Sequence, residues 1–562
     1  SSFSQPARTS SAMPIASHIP LPPDDGHDAR PNEFDSVAAG ASPAAGSVVE
    51  RLDSASSVVD GVVAGFLFLF VFGSGLIHIE SFPPLWFDEG WTVCVARTWV
   101  ELGHYGCLLR GEPAPPSLAA HFPVVASVAA SFTLFGVGVW QTRLVGLLYT
   151  LGAFLLLYAL ARRLYGRSIA IAALALLLLV PLKWSIHPLY IGRQVLGEMP
   201  LLCFLLAGYV CFLRSTHRPL WQVATIGCWA LAWMTKAQVA PFLVASIAGT
   251  MVVMSLRGDW SVVGRLAVAM IGSWGGCRLL LYAKDWLLAG HIMPHPPVDG
   301  MTEAIALVFV PSIRLETIRY LFVSWPEYPL GLAYAAWRVG GTSGSVAKVS
   351  VEQTVQTMLL LLAGSWLAWF AFLSAGEPRY ALPGLFLAAP FTAALFHDFT
   401  RGFDVAFLAR TLTGLLRSRH VTRQGIKAVV VVMLLVMMGW VAVQERYAFR
   451  AREDDRDLFA VTHYLNTATP PTAVIETYDS ELFLFLHRPY TYAPPRALVE
   501  IIRREQGEAK AVTYDPLESR PDYLVVGEYG RWAGFYKPLI AQNRVRLVTS
   551  IGRYQIYEPV RR

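Results

Sequence analysis

Residues 62–77 read VVAGFLFLFVFGSGLI, and a short turn later comes Phe87-Asp88-Glu89-Gly90-Trp91. The first stretch is an unbroken apolar run without a charge, which is the core of a bilayer span. Comparable runs recur at Ile169–Leu182, Met358–Leu373 and Val429–Val443. Of the 562 residues 54% are hydrophobic, and the mean hydropathy is +0.44. A soluble chain with that content would alternate apolar with polar residues, whereas these runs do not. Many of the 17 tryptophans stand at the ends of the runs, where interfacial indoles belong. The fold class expected is a polytopic α-helical membrane protein.

Allowing short and tilted helices, roughly eleven spans are expected, with cores near 59–78, 139–160, 168–184, 197–213, 220–235, 239–256, 266–284, 320–337, 354–374, 380–397 and 427–444. The segment 320–337 is interrupted by Pro326 and Glu327. Under this division the basic groups fall on one side: Arg162, Arg163 and Arg167; Arg214 and Arg218; Arg257 and Arg265; Arg338 and Lys348; then Arg401, Arg410, Arg417, Arg419, Arg423 and Lys427. The positive-inside rule makes that side cytoplasmic, together with the N-terminus. Loops 79–138, 185–196 and 285–319 then face outward. Residues 1–52, rich in Ser, Ala and Pro, are expected to be disordered and do not read as a signal peptide. Residues 53–448 are the membrane domain. Residues 449–562 form an outward α/β domain of about 110 residues, near the common domain size. In it Arg456–Asn466 is helical, Ala473–Thr477 and Tyr523–Val526 are strand-like, and Arg546–Ile551 with Tyr554–Tyr557 make a hairpin around Gly552-Arg553.

The formal net charge of +6 is spread over many loops, so no nucleic-acid partner is expected. Among the six cysteines, Cys203, Cys211, Cys228 and Cys277 lie in apolar runs and no CxxC occurs, which gives no support to a metal or redox site. Cys94 and Cys107 share one loop: two free thiols, or a disulfide if that loop faces an oxidising compartment.

Ionisable residues at membrane depth are costly and are therefore candidates for function. Asp88 and Glu89 are adjacent carboxylates at the membrane surface, suited to taking a proton from a substrate hydroxyl; alternatively Asp88 caps an interfacial helix. The outward side also collects His121, Arg193, Glu198, Lys236 and Arg379 with Tyr380. Cations gathered there could clamp an anionic lipid headgroup. Each has a plainer reading: Lys236 as a snorkelling lysine, Arg379 as a helix-end anchor, Glu198 as a first-turn acid, His121 as an interfacial histidine.

Taken in order, Asp88-Glu89, Phe135-Gly136 with Arg143-Leu144, Arg162-Arg163 with Gly166, Arg193 to Glu198, Thr235-Lys236, and Arg379-Tyr380 with Pro383 resemble the GT-C glycosyltransferases of the bacterial dolichyl-phosphate-mannose-protein mannosyltransferase-like kind, related to the lipid A aminoarabinose transferases. The resemblance covers roughly residues 60–400. It implies an inner-membrane enzyme whose donor is a sugar on a polyprenyl phosphate, whose acceptor is a lipid, glycan or protein, and whose site opens outward. It implies Asp88 as catalytic base, with Glu89 beside it and Glu198 as a second acid near base or acceptor. Lys236, Arg379 and Tyr380 would hold the donor phosphate, with His121 and Arg193 in the same set. No metal or cofactor is implied. One departure stands out: the aminoarabinose branch typically has an arginine three positions after the aspartate, and here that residue is Trp91, which argues against lipid A as acceptor. A transporter or flippase would show paired halves, and no internal repeat is evident. A scaffold leaves the charged set unexplained, and a ligase using a diphosphate-linked glycan differs in donor chemistry.

Overall fold

The computed structural model describes residues 43–179, 186–291, 310–341, 349–418, 422–448, 456–507 and 512–560. Most of the expected disordered segment, Lys348, Arg419 and the expected domain boundary at 448/449 lie outside these residues or at their edge. The described residues divide into two units, one ending at Val63 and one beginning at Ala64. The first is represented by the start of helix α1 (Pro43–Leu76).

Among the described residues seven helices are long and apolar enough to cross a bilayer: Val58–Leu76 of α1, α4 (Val139–Tyr165), α9 (Val239–Leu256), α10 (Trp260–Ala289), α13 (Val351–Leu373), Pro378–Phe399, whose helical body is α14 (Leu382–Phe399), and the Arg423–Trp440 part of α16 (Arg423–Ala448). The chain is a multi-pass membrane protein. The other four expected spans coincide with shorter helices: α5 (Arg167–Leu179), α7 (Glu198–Arg214), α8 (Pro219–Thr235) and α12 (Glu327–Gly341). Helices α7 and α8 have 17 residues each, a rise of about 25 Å against a hydrocarbon core of ~30 Å. Segment 320–337 is broken as its proline suggests: α11 (Pro311–Arg319) runs into a π-turn, Tyr320–Ser324, before α12 begins. An apolar helix that was not expected, α3 (Phe122–Phe135), precedes α4. Two more helices that bear no part of the site are α6 (Pro188–Ile191) and α15 (Val405–Ser418).

Helix α14 is the most enclosed of these seven. Its residues 382–396 are all buried, as befits a helix apolar on every side. Helices α7 and α8 approach closely because Gly208 leaves room for the Trp229 indole, whose Nε1 donates to the Leu205 carbonyl at 3.3 Å. Small residues at such crossings let helices meet where no water drives them together.

Between α1 and α3 lie α2 (Phe87–Leu102) and the hairpin β1 (Cys107–Leu109) and β2 (Glu112–Ala114). After the membrane helices come α17 (Arg456–Ala468), β3 (Ile475–Thr477), β4 (Tyr490–Thr491), α18 (Pro495–Glu505), β5 (Tyr523–Val526), α19 (Glu528–Ala533), α20 (Lys537–Ala541), β6 (Val545–Ile551) and β7 (Tyr554–Pro559). The sheet order is β4-β3-β5-β7-β6. Its β4, β3 and β5 are parallel, while β5–β7 and β7–β6 are antiparallel. The expected helix and closing hairpin are present; β4 was not foreseen. Gly552 turns the hairpin with φ +53°, and a Cβ there would meet the Asp457 carboxyl carbon at 1.9 Å. The sheet does not have a core of its own. Leu85, Trp91, Val95, Val125 and Val195 share one buried cluster with Leu458, Ile475, Phe483, Val525 and Ile556, and residues 64–562 form one compact unit.

Candidate active site

The turn between α1 and α2 is held by two arginines. Arg143, fully buried on α4, donates from Nη1 to the Ile79 carbonyl at 2.6 Å and from Nη2 to the Pro83 carbonyl at 2.5 Å. Arg193 donates to the Phe82 carbonyl at 3.0 Å and to the Ser74 carbonyl. These bonds satisfy carbonyls that a turn would otherwise leave open, and they fix where α2 starts. Arg193, grouped with the phosphate set from sequence, is thereby engaged with backbone, its guanidinium above the Phe82 ring.

Adjacent residues on a helix point about 100° apart, and Asp88 and Glu89 separate accordingly. Glu89 is fully buried. Its Oε1 is 3.6 Å from Arg143 Nε, and its Oε2 accepts from the Trp86 amide at 3.3 Å. Burial pushes its carboxyl above the usual range, against the pull of Arg143. Asp88 is partly exposed and faces the other way. Its Oδ2 lies 2.6 Å from Nη2 of Arg379. The first turn of a helix favours that negative charge.

Arg379 enters on a 3-10 turn, Pro378–Ala381, at the head of α14. Its guanidinium lies over the rings of Trp86 and Tyr380, at 5.9 and 5.5 Å from the centroids. The Trp366 indole anchors the turn by donating to the Tyr380 carbonyl at 2.7 Å. Lys236, just past the end of α8, forms an ion pair with Glu198 at the start of α7 and stands 5.5 Å from the Tyr380 ring centroid. Glu198 is buried and also feels the charge of Arg379. Four elements far apart in sequence thus bring two carboxylates and two cations around one tyrosine ring.

His121 stands at the N-cap position of α3 without a side-chain capping bond. The protein around it, then the charges of Lys236 and Lys284, hold its imidazole below the usual range. Lys284 was not expected here. It lies buried near the end of α10 and pairs with Asp285 at 2.9 Å. Its signal was available: a Lys-Asp pair interrupts a long apolar helix. Trp86, Tyr478 and Tyr529 were also missed. The last two come from the C-terminal sheet region and pack on Phe87, at 5.0 and 5.1 Å between centroids. Trp91, at the departure from the aminoarabinose pattern, is fully buried against Phe483 and Tyr492, so this position serves the shared core. Cys94 and Cys107 are free, buried thiols, and Cys94 Sγ is 3.1 Å from the Tyr490 hydroxyl. Among the described residues no group of three or more His, Cys, Asp or Glu side chains is arranged to hold a metal ion.

The fold has counterparts among known proteins. A family model described as dolichyl-phosphate-mannose-protein mannosyltransferase matches residues 120–273. Among solved structures, that of ArnT from Cupriavidus metallidurans bound to undecaprenyl phosphate is similar with a TM-score of 0.55 and 15% identity. The match covers 90% of this chain and 98% of that one. The apo state of the same protein matches with a TM-score of 0.52 and 15% identity, covering 91% and 98%. A search of curated protein sequences finds no match.

Proposed function

We propose that this chain transfers a sugar from a polyprenyl-phosphate donor to an acceptor hydroxyl, at the extracytoplasmic face of the inner membrane and with inversion. The observation that carries the reading is the pairing of Asp88 with Arg379 beside the pairing of Glu198 with Lys236. Two cations that a phosphate could claim stand next to a partly exposed carboxylate that could take a proton. The similarity to a protein crystallised with undecaprenyl phosphate supports a lipid-phosphate donor, as does the family match at residues 120–273.

The chemistry follows from charge. Asp88 accepts the proton of the acceptor hydroxyl, the oxygen attacks the anomeric carbon, and the bond from that carbon to the phosphate oxygen breaks. The lipid phosphate leaves with the bonding pair, and Arg379 and Lys236 hold its added charge. A phosphate leaves readily, so a positioned base contributing about 10²–10⁴-fold and an electrostatic clamp are a sufficient pair. Direct displacement inverts the anomeric centre. Glu198 keeps Lys236 oriented until the phosphate arrives. Basic loops on the opposite side support an outward-facing site.

The test is turnover by the purified protein, given a panel of undecaprenyl-monophosphate and undecaprenyl-diphosphate sugars and native membranes as the source of acceptor. Release of undecaprenyl phosphate from at least one donor, with the sugar appearing on a membrane component, is expected. Consumption only of diphosphate-linked donors would replace this reading with that of a glycan ligase.

A further inference from the structure

The hydroxyl of Tyr478 is buried and has no hydrogen-bond partner among the described residues. Such a group carries a desolvation cost with no return in the resting state, and its presence calls for a reason. Its position is tightly fixed. Tyr478 follows β3 directly. Its ring is wedged between those of Phe87 and Phe535, each with its centroid 5.0 Å away. The next residue, Asp479, accepts from the amides of Gly527, Tyr529 and Gly530 at 2.7, 2.8 and 3.3 Å. The one after, Ser480, donates to the Phe87 carbonyl at 2.6 Å. The phenol is therefore placed, by the bonds of the two residues that follow it, against the first turn of α2, where Asp88 resides. Asp88 acts electrostatically on both Tyr478 and Tyr529.

Asp88 itself pairs with Arg379 and acts electrostatically on Tyr380, Tyr478 and Tyr529. Its side chain is 31% exposed. In the resting protein it is held by Arg379. A phosphate, with more charge than a carboxylate, competes for that guanidinium. Once Arg379 turns to phosphate, Asp88 loses its partner beside a phenol that lacks one.

We infer that Tyr478 is the exchange partner of Asp88: when a lipid phosphate takes Arg379, the Asp88 carboxylate accepts a hydrogen bond from the Tyr478 hydroxyl. This rests on the lipid-phosphate reading above and goes further, because it makes the C-terminal sheet part of the site. Tyr478 is a positioning residue, acting through Asp88. The exchange couples donor arrival to the orientation of the base, so that the base is aimed only when a donor is present.

The experiment is a double-mutant cycle read by binding alone, with undecaprenyl phosphate as the probe and the full chain in detergent. Tyr478→Phe keeps the ring packing and removes the hydroxyl. It is expected to weaken undecaprenyl phosphate binding about tenfold, the worth of one hydrogen bond to a charged group. In an Asp88→Ala background it is expected to change binding not at all. Without ligand, Tyr478→Phe is expected to melt no lower than the parent, since an unpartnered hydroxyl has been deleted. Equal effects in both backgrounds, no effect in either, or a lower ligand-free melting temperature each overturn the exchange. If the parent protein binds no undecaprenyl phosphate, the donor reading falls and the exchange with it; if the parent binds but the cycle is additive, only the exchange falls.

Discussion

Gly90 meets the backbone of Ser480: a Cβ built on it would lie 2.5 Å from the Ser480 carbonyl carbon and 2.6 Å from the Glu481 amide nitrogen. Backbone cannot rotate away as a side chain can. Gly90→Ala therefore pushes the C-terminal sheet off α2, at about 1–3 kcal/mol or more. Expected outcomes are a lower melting temperature, faster proteolysis after residue 456 and a loss of turnover larger than the loss of donor binding. Normal melting and turnover would mean that the contact is slack.

Glu89 and Arg143 form a fully buried ion pair, and removing one partner strands the other's charge. Glu89→Ala is expected to destabilise by about 3–5 kcal/mol, seen as a lower melting temperature and reduced yield, because Arg143 also fixes the turn before α2. Glu89→Gln should lose less. A stable and inactive Glu89→Gln protein would instead move Glu89 from positioning into the chemistry.

Burial pushes the Glu476 carboxyl up to about 8, against hydrogen bonds from Tyr514, Tyr536 and Thr491. An unfolded chain releases that proton near the ordinary value of 4.5, so between those values the folded state binds more protons than the unfolded one. The contribution is fully present below about pH 4.5 and is lost as the pH rises through about 8. Asp479, pushed up to about 6, adds to the same slope. Melting temperature is expected to fall as the pH is raised from 6 to 9, and Glu476→Gln should flatten the fall. An unchanged slope in Glu476→Gln would assign the pH dependence elsewhere.

The sequence revealed what depends on composition and short spacing. Apolar runs marked the membrane helices, and the turn at Gly552-Arg553 marked the closing hairpin. The run at Phe122–Phe135 was missed because its 14 residues fall short of a span. Asp88, Glu198, Lys236 and Arg379 were legible because charge at membrane depth is conspicuous. Their partners were not: nothing in the order of residues says that Asp88 pairs with Arg379 while its neighbour Glu89 turns to Arg143. That division follows from helix phase and from which helix lies on each side. Tyr478 and Tyr529 were invisible for another reason. They reach the site only because the sheet shares its core with α2, a relation between segments separated by most of the chain.

In the proposed reaction Asp88 removes a proton while Arg379 and Lys236 hold the lipid phosphate. The most direct test of that reaction measures turnover and undecaprenyl phosphate affinity side by side in Asp88→Asn, Lys236→Ala and Arg379→Ala. Asp88→Asn is expected to lose turnover by about 10²–10⁴-fold yet to bind undecaprenyl phosphate at least as tightly as the parent, because Arg379 is released. Lys236→Ala and Arg379→Ala should bind the lipid more weakly, each by about tenfold or more. Undiminished turnover in Asp88→Asn, or unchanged affinity in both cation variants, would contradict it.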